Sequence, residues 1–317
     1  MTKTDDNDDG NFREIGRQVS NWGRWGAEDE RGTLNYITPE TVRAGAGCVR
    51  TGKVFELSLP LGSTGPQVRG DGVRFNPIHR MTMLPEDIAG PDGLIGTDDI
   101  VIMPLQCATQ WDSLAHIGYD GRFYNDVEAQ TAVTAISGAV RNGIDHTLPG
   151  VVGRGVLLDI ARLRGVEWIL ADDDPITSAD LDAAAERQAV EVRTGDALLV
   201  RTGWRRKALV EGWSAEWLRP CPGLGLDAVR WLHERQVAAL AADNPGVERL
   251  PSGLPGARLP VHCVLIRDMG LQIGEMFDLE ALAADCAADG QWDFFFSAPP
   301  LRVTGAVGST ASPIAVK

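Results

Sequence analysis

GRGVLLDIAR, residues 153–162, reads as a buried strand: an apolar run too short for a helix, set between a glycine and an arginine. Working outward, SADLDAAAERQAV (178–190) reads as a helix capped by Ser178, and DALLVRTGW (196–204) as a second strand. LGLDAVRWLHERQV (224–237) reads as a helix and VAALAAD (237–243) as a strand. LPVHCVLIRDMG (259–270) is strand-like, LEALAADCAAD (279–289) helical, and WDFFFSA (292–298) and SPIAVK (312–317) give the last strands. Upstream, VFELSLPL (54–61) alternates like a strand, residues 62–97 form a long Gly- and Pro-rich loop, and DIVIMPLQCATQ (99–110) is a strand. Residues 128–140 suit a short helix. Another helix follows Thr38 as N-cap, with Pro39 in its first turn and Gly47 or Gly52 as the stop. Strands and helices alternate without a strict βαβ period, so the pattern points to a mixed α/β domain rather than a repeat protein or a barrel. Residues 1–11 read as a disordered tail and 12–317 as one domain.

The chain has 317 residues, enough for a sizeable core, with 30 basic against 44 acidic residues and a net charge of −14. Nucleic acid is excluded as the expected partner, because binding phosphates needs a basic footprint. A small organic substrate fits this balance. The five cysteines, Cys48, Cys107, Cys221, Cys263 and Cys286, include no CxxC pair, which points to reduced thiols. The acidic first residues lack the apolar core of a signal peptide, and no run approaches the ~20 apolar residues of a membrane helix. The expected setting is soluble and cytoplasmic. GxSxG and P-loop motifs are absent. Gly223, Gly225 and Ala228 give GxGxxA, but RPCP before them cannot be the buried strand a dinucleotide fingerprint needs.

The chemistry-bearing stretch is QCATQWDSLAH, residues 106–116. In an extended segment, residues two apart share a face. Gln106, Gln110 and Asp112 then point together, and Trp111 points away toward packing. If Asp112 opens a helix, as its capping preference allows, His116 lies one turn in, above the cluster. Further on, HCVLIRDMGLQIGE (262–275) sets His262 on a strand and Glu275 after a glycine turn. If the chain folds back there, Asp112, His262 and Glu275 converge. One imidazole and two carboxylates suit a catalytic divalent metal with open positions. On spacing alone, each of these residues also has a structural reading as a satisfied buried polar group.

QCATQWDSLAH followed by YDGRFYN resembles the signature region of the putative cyclase family, which includes bacterial kynurenine formamidases and isatin hydrolases. The resemblance extends over most of the chain, through NWGRWGAEDERGTLN (21–35), GVVGRGVLLDIA (150–161), DALLVRTGW, AADNPGVE (241–248) and HCVLIRDMGLQIGE. The family pattern is His-x-Gly-Thr-His-x-Asp-x-Pro-x-His. Asp112 matches its metal-bridging Asp, His116 its catalytic His, Thr109 its Thr, and His262 and Glu275 its later ligands. Gln106 and Gln110 stand in place of both motif histidines, Ala108 in place of Gly and Leu114 in place of Pro. The resemblance implies a cyclase-like swivelling β/β/α fold, a mixed sheet forming a central β-barrel-like core with surrounding helices, and a homodimer or higher homo-oligomer.

The implied activity is metal-dependent hydrolysis of a cyclic or activated carbonyl compound: an amide, imide, lactone or ester. Asp112, His262 and Glu275 are the expected ligands, with Gln106 and Gln110 auxiliary. A glutamine oxygen is a neutral, hard ligand, so the set favours manganese over zinc, with magnesium or calcium as further alternatives. Catalytic roles fall to His116 as general base, Gln110 and Thr109. Trp22, Trp25, Trp111, Tyr119, Phe123 and Tyr124 are candidate walls of an apolar substrate pocket. The same residues admit a metal-assisted lyase or cyclase, or a metal-free small-molecule binding protein.

Overall fold

The structure, a computed structural model, describes residues 11–68, 73–88 and 90–317. Apart from Asn11, the expected tail lies outside the described residues.

Nine strands form the main sheet: β1 (Val54–Glu56), β2 (Gln110–Asp112), β3 (Val151–Asp159), β4 (Ala197–Arg201), β5 (Ala239–Ala242), β6 (Gln272–Glu275), β7 (Asp293–Ala298), β8 (Gly308–Thr310) and β9 (Ile314–Val316). Their spatial order is β1-β9-β7-β3-β4-β5-β6-β2-β8. Neighbours from β3 to β6 are parallel, and the remaining pairs are antiparallel. The parallel centre is buried on both faces, which explains the unbroken apolar runs. Val156, Leu158, Leu198, Val200, Leu240 and Ala242 join one core cluster. Leu157, Leu199, Ala239 and Ala241 join a second on the opposite face, with Trp111, Phe294 and Phe296.

The sheet curls into a half-barrel, where the alternation pattern argued against a barrel. The chain beyond β7 returns to β8 through the Pro300–Ala311 bridge. The chain beyond β1 crosses to the far side, where the Leu57 carbonyl accepts from the Asp278 amide and the Leu59 amide donates to Thr109 Oγ1 at 2.8 Å. Such closure comes from contacts distant in sequence, which local periodicity does not encode.

Six helices matter here: α1 (Phe12–Gln18), α2 (Pro39–Ala46), α3 (Ser178–Arg187), α4 (Ala228–Glu234), α5 (Pro260–His262) and α6 (Glu280–Asp289). Thr38 caps α2 in a capping box with Thr41, with Pro39 in the first turn and Gly47 at the C-cap. The cap of α3 is Thr177, boxed with Asp180, rather than Ser178. The expected strand at 259–270 is a helix: α5 runs on as a π-helix, Cys263–Asp268. Its apolar residues are buried all round, so no helical stripe marks it, and Pro260 in its first turn was the available signal. The expected strand at 99–110 is also two pieces. Asp98–Ile102 pairs in a separate two-stranded ribbon with Ile78–Met83, a strand inside the expected loop, and β2 begins only at Gln110. In 128–140 the helix is limited to Ala129–Ala132, and a small hairpin follows. All five cysteines are free thiols. Among the described residues no helix is long and apolar enough to cross a membrane.

Candidate metal centre

The sheet register builds the site. Glu275 on β6 lies opposite Gln110 on β2, and Asp112 lies opposite Gly308 on β8. Strand alternation then puts Gln110, Asp112 and Glu275 on one face and Trp111 on the other. Trp111 is fully buried, stands edge-on to Phe277 at 5.4 Å and donates its indole N–H to the Ala298 carbonyl at 2.9 Å. It packs the core. Gly274 makes room for it, since a Cβ there would lie 2.8 Å from the Trp111 ring.

Helix α5 brings His262 to the same place. Ligand atoms of Asp112, His262 and Glu275 all lie within 4.8 Å of one another, and all three residues are buried. Gln110 donates to Glu275 Oε2 at 2.8 Å and to Asp112 Oδ1 at 3.4 Å. Its amide therefore sits between the two carboxylates, while its Oε1 is buried and has no hydrogen-bond partner. Gln106 arrives from the turn before β2 and donates to Asp112 Oδ1 at 2.7 Å. Its carboxamide lies across Gly308, where a Cβ would come within 2.8 Å of the Gln106 Cδ.

Asp112 ends a strand instead of opening a helix, and the chain turns directly to His116. That turn is fixed by Ser113 N–H to the Val307 carbonyl and Ala115 N–H to the Asn142 carbonyl. His116 Nε2 lies 3.8 Å from Asp112 Oδ2, and Gln106 Nε2 lies 3.2 Å from the imidazole nitrogens. The His116 side chain is 19% exposed, whereas that of Asp112 is 1% exposed, so His116 forms the open rim of the cluster. The Thr109 hydroxyl is taken up by backbone: it donates to the Met276 carbonyl and accepts from the Leu59 amide. That arrangement holds the two sides of the half-barrel together.

Sequence reading missed Glu248. Its carboxylate accepts from the Val261 and His262 amides at 3.2 and 2.9 Å and bonds His262 Nδ1. The free amides at the start of α5 and the imidazole are thus held by one buried acid. Gly223 lies against it, since a Cβ there would be 2.3 Å from the Glu248 carbonyl carbon. Only the acid closing AADNPGVE hinted at this role, because its partner lies 14 residues on.

Burial lowers the His262 pKa, but the hydrogen bond and charge of Glu248, then those of Glu275, outweigh it and push the value up to about 10. Burial, and then the charge of Asp112, raises that of Glu275. Two carboxylates this close and dry require a cation, a proton or donated hydrogens between them. The set fits a divalent ion: two carboxylate groups, one imidazole, and an unpartnered amide oxygen beside them.

The other candidate wall residues are held by the following contacts. The Tyr124 hydroxyl donates to Asp29 from within the core. Tyr119 donates to Asp268 on the π-helix, and Trp22 to the Arg267 carbonyl. Trp25 stacks edge-on to Tyr36 at 5.1 Å, and Phe123 packs against Gly118. These contacts dock the 11–36 segment and the 119–124 turn onto the body of the protein.

The family model described as "Putative cyclase" matches residues 55–249. A crystal structure described as a novel cyclase is 41% identical, covers 94% of this chain and 99% of its own, and superposes with a TM-score of 0.84. Isatin hydrolase A from Labrenzia aggregata is 18% identical, with 87% and 97% covered and a TM-score of 0.60. A potential metal-dependent hydrolase with cyclase activity is 19% identical, with 83% and 98% covered and a TM-score of 0.52. At such identities the last two show a shared fold. No curated protein matches the chain.

Proposed function

The chain belongs to the cyclase family, and from that premise we propose that it is a metal-dependent hydrolase of a small cyclic or activated carbonyl compound. One observation carries the reading: the buried residues Asp112, His262 and Glu275 bring ligand atoms within 4.8 Å of one another. The naming of a related fold as isatin hydrolase supports the reaction class. Asp112, His262 and Glu275 would hold the ion, with Gln110 Oε1 and Gln106 as auxiliary ligands or hydrogen-bond partners. The oxygen-rich set favours manganese. A bound ion would supply Lewis-acid polarisation of the carbonyl and a lowered pKa for water.

The remaining work falls to side chains of the chain itself. Glu248 fixes the ring of His262 so that Nε2 faces Glu275, at 3.3 Å. His116, at the rim, takes the proton from the attacking water and returns it to the leaving group. Gln106 and Asp112 orient its ring from the buried side.

A second reading, a metal-free binding pocket, has one observation in its favour: the Gln106 and Gln110 amides already donate to both carboxylates. Metal analysis separates the two. The purified protein is expected to hold one equivalent of a divalent ion, with Mn²⁺ restoring hydrolysis of a panel of cyclic amides, imides, lactones and esters after chelation. Absence of bound metal, together with no hydrolysis on adding Mn²⁺, Zn²⁺, Mg²⁺ or Ca²⁺, would overturn the proposal. Ring-opened products containing added water distinguish hydrolysis from a lyase or cyclase reaction. The His116→Ala variant is expected to lose about 10²- to 10⁴-fold in turnover with metal content unchanged.

A further inference from the structure

A cleft of about 280 Å³ opens between α1, the segment around Leu224 and the loop that leads into α5. That volume lies near the lower end for small-molecule sites, roughly 300 Å³. Ile15, Leu224, Leu226, Leu254, Pro260 and Val261 give it apolar walls. Backbone bridges from Leu224 to Ile176 and to Glu248 hold those walls in place. Arg249 supplies a charge. Its side chain is half-buried, and Gly253 leaves room for it, since a Cβ there would lie 3.2 Å from Nη1. Its Nε is enclosed without a hydrogen-bond partner, and among the described residues no carboxylate pairs with the guanidinium. The acids that line the cleft are engaged elsewhere. Asp227 accepts from the Ser178 amide and hydroxyl at 2.7 and 2.6 Å. Glu248 accepts from the amides of α5 and bonds His262. The hydroxyls are engaged as well, Ser252 with the Ala257 carbonyl at 2.6 Å and Thr177 with Asp180 at 3.0 Å.

We propose that this cleft is a second binding site, which takes a small organic carboxylate on Arg249 with its hydrocarbon part against the apolar walls. A guanidinium that loses water without gaining an anion is costly, and its planar fork matches a carboxylate with two parallel hydrogen bonds. A neutral ligand would leave that charge unpaired. A bare inorganic anion would pair with it but gain nothing from the apolar walls, while giving up its hydration. A ring or short chain bearing one carboxylate satisfies both halves of the cleft. The site is apart from the metal centre and shares only Glu248 with it. The assignment is independent of the metal reading.

Isothermal titration of benzoate into the full chain tests it. The protein is first treated with a chelator, so that no metal ion offers the carboxylate a ligand position. The wild type is expected to bind one equivalent with a dissociation constant at or below about 1 mM. Benzamide, which lacks the charge, and sulfate, which lacks the ring, are each expected to bind at least about tenfold more weakly. Arg249→Gln should weaken benzoate binding by about tenfold or more. Leu254→Trp keeps Arg249 but fills the cleft from the opposite wall, and should abolish binding with an unchanged far-ultraviolet circular dichroism spectrum. Absence of saturable benzoate binding to the wild type would overturn the proposal. So would sulfate or benzamide binding as tightly as benzoate, or folded variants at Arg249 and Leu254 that bind benzoate like the wild type.

Discussion

Gln110 stands between two buried carboxylates, and its amide leaves one oxygen without a partner. An imidazole at that position would give a divalent ion a stronger and softer ligand. Gln110→His is therefore expected to shift selectivity from manganese toward zinc, most clearly when combined with Gln106→His. Competition titration with the two ions would show it, and an unchanged Zn²⁺/Mn²⁺ affinity ratio would count against Gln110 as a ligand. Gln110 and Asp112 could be placed on one face from sequence, because alternation depends only on the strand period, whereas Glu275 joins them through the pairing of β6 with β2. Glu248 could not, because a residue that orients a ligand carries no motif of its own.

Helix α5 and its π-helical continuation show why element type matters to this site. As a strand, residues 259–270 would alternate, and only every second side chain would face the cluster. As a helix, the segment opens on amides that need an acceptor, and Glu248 both accepts from them and grips His262. The apolar run had strand length and no stripe, so the pattern could not decide between the two forms, whereas α2 was legible from Thr38 and Pro39 because caps are local. If Glu248 orients the ligand, Glu248→Gln should weaken metal binding by about 10- to 100-fold. Isothermal titration with Mn²⁺ measures this directly, and thermal unfolding of the metal-free variant reports whether the helix start has also loosened. A variant that binds Mn²⁺ as tightly as the wild type would show that His262 is held without the acid.

At the scale of the molecule, the half-barrel depends on ties between segments far apart in the chain, and those were visible only through the family resemblance. Lys317 is one such tie that neither pattern nor motif marked. Its side chain is fully buried, with Nζ 3.0 Å from Asp285 Oδ2 and 2.7 Å from Asp289 Oδ1 on α6. Its backbone carbonyl accepts from the Thr51 and Gly52 amides just before β1. One residue thus joins an edge of the sheet to the helix lying over it. Hydrogen bonds from Lys53, then from Lys317, hold Asp285 below the usual carboxylate range. Burial would raise Asp289, but Lys317 outweighs it and also holds that group low. Carboxylates whose folded pKa is depressed stabilise the fold above the unfolded value, near pH 4, and lose that contribution as pH falls through the folded value. Lys317→Met keeps the buried stem but removes the charge, and both acids are partly exposed, so the cost at neutral pH should be modest, about 1–2 kcal/mol. For a chain of this length that corresponds to a fall in Tm of about 1.5–3 °C. The gap between variant and wild type should close as pH is lowered toward 3, because protonated acids no longer reward the ammonium group. Calorimetric unfolding of both proteins between pH 3 and 7 tests this, and a gap that stays constant across the range would assign the role of Lys317 to packing instead of charge.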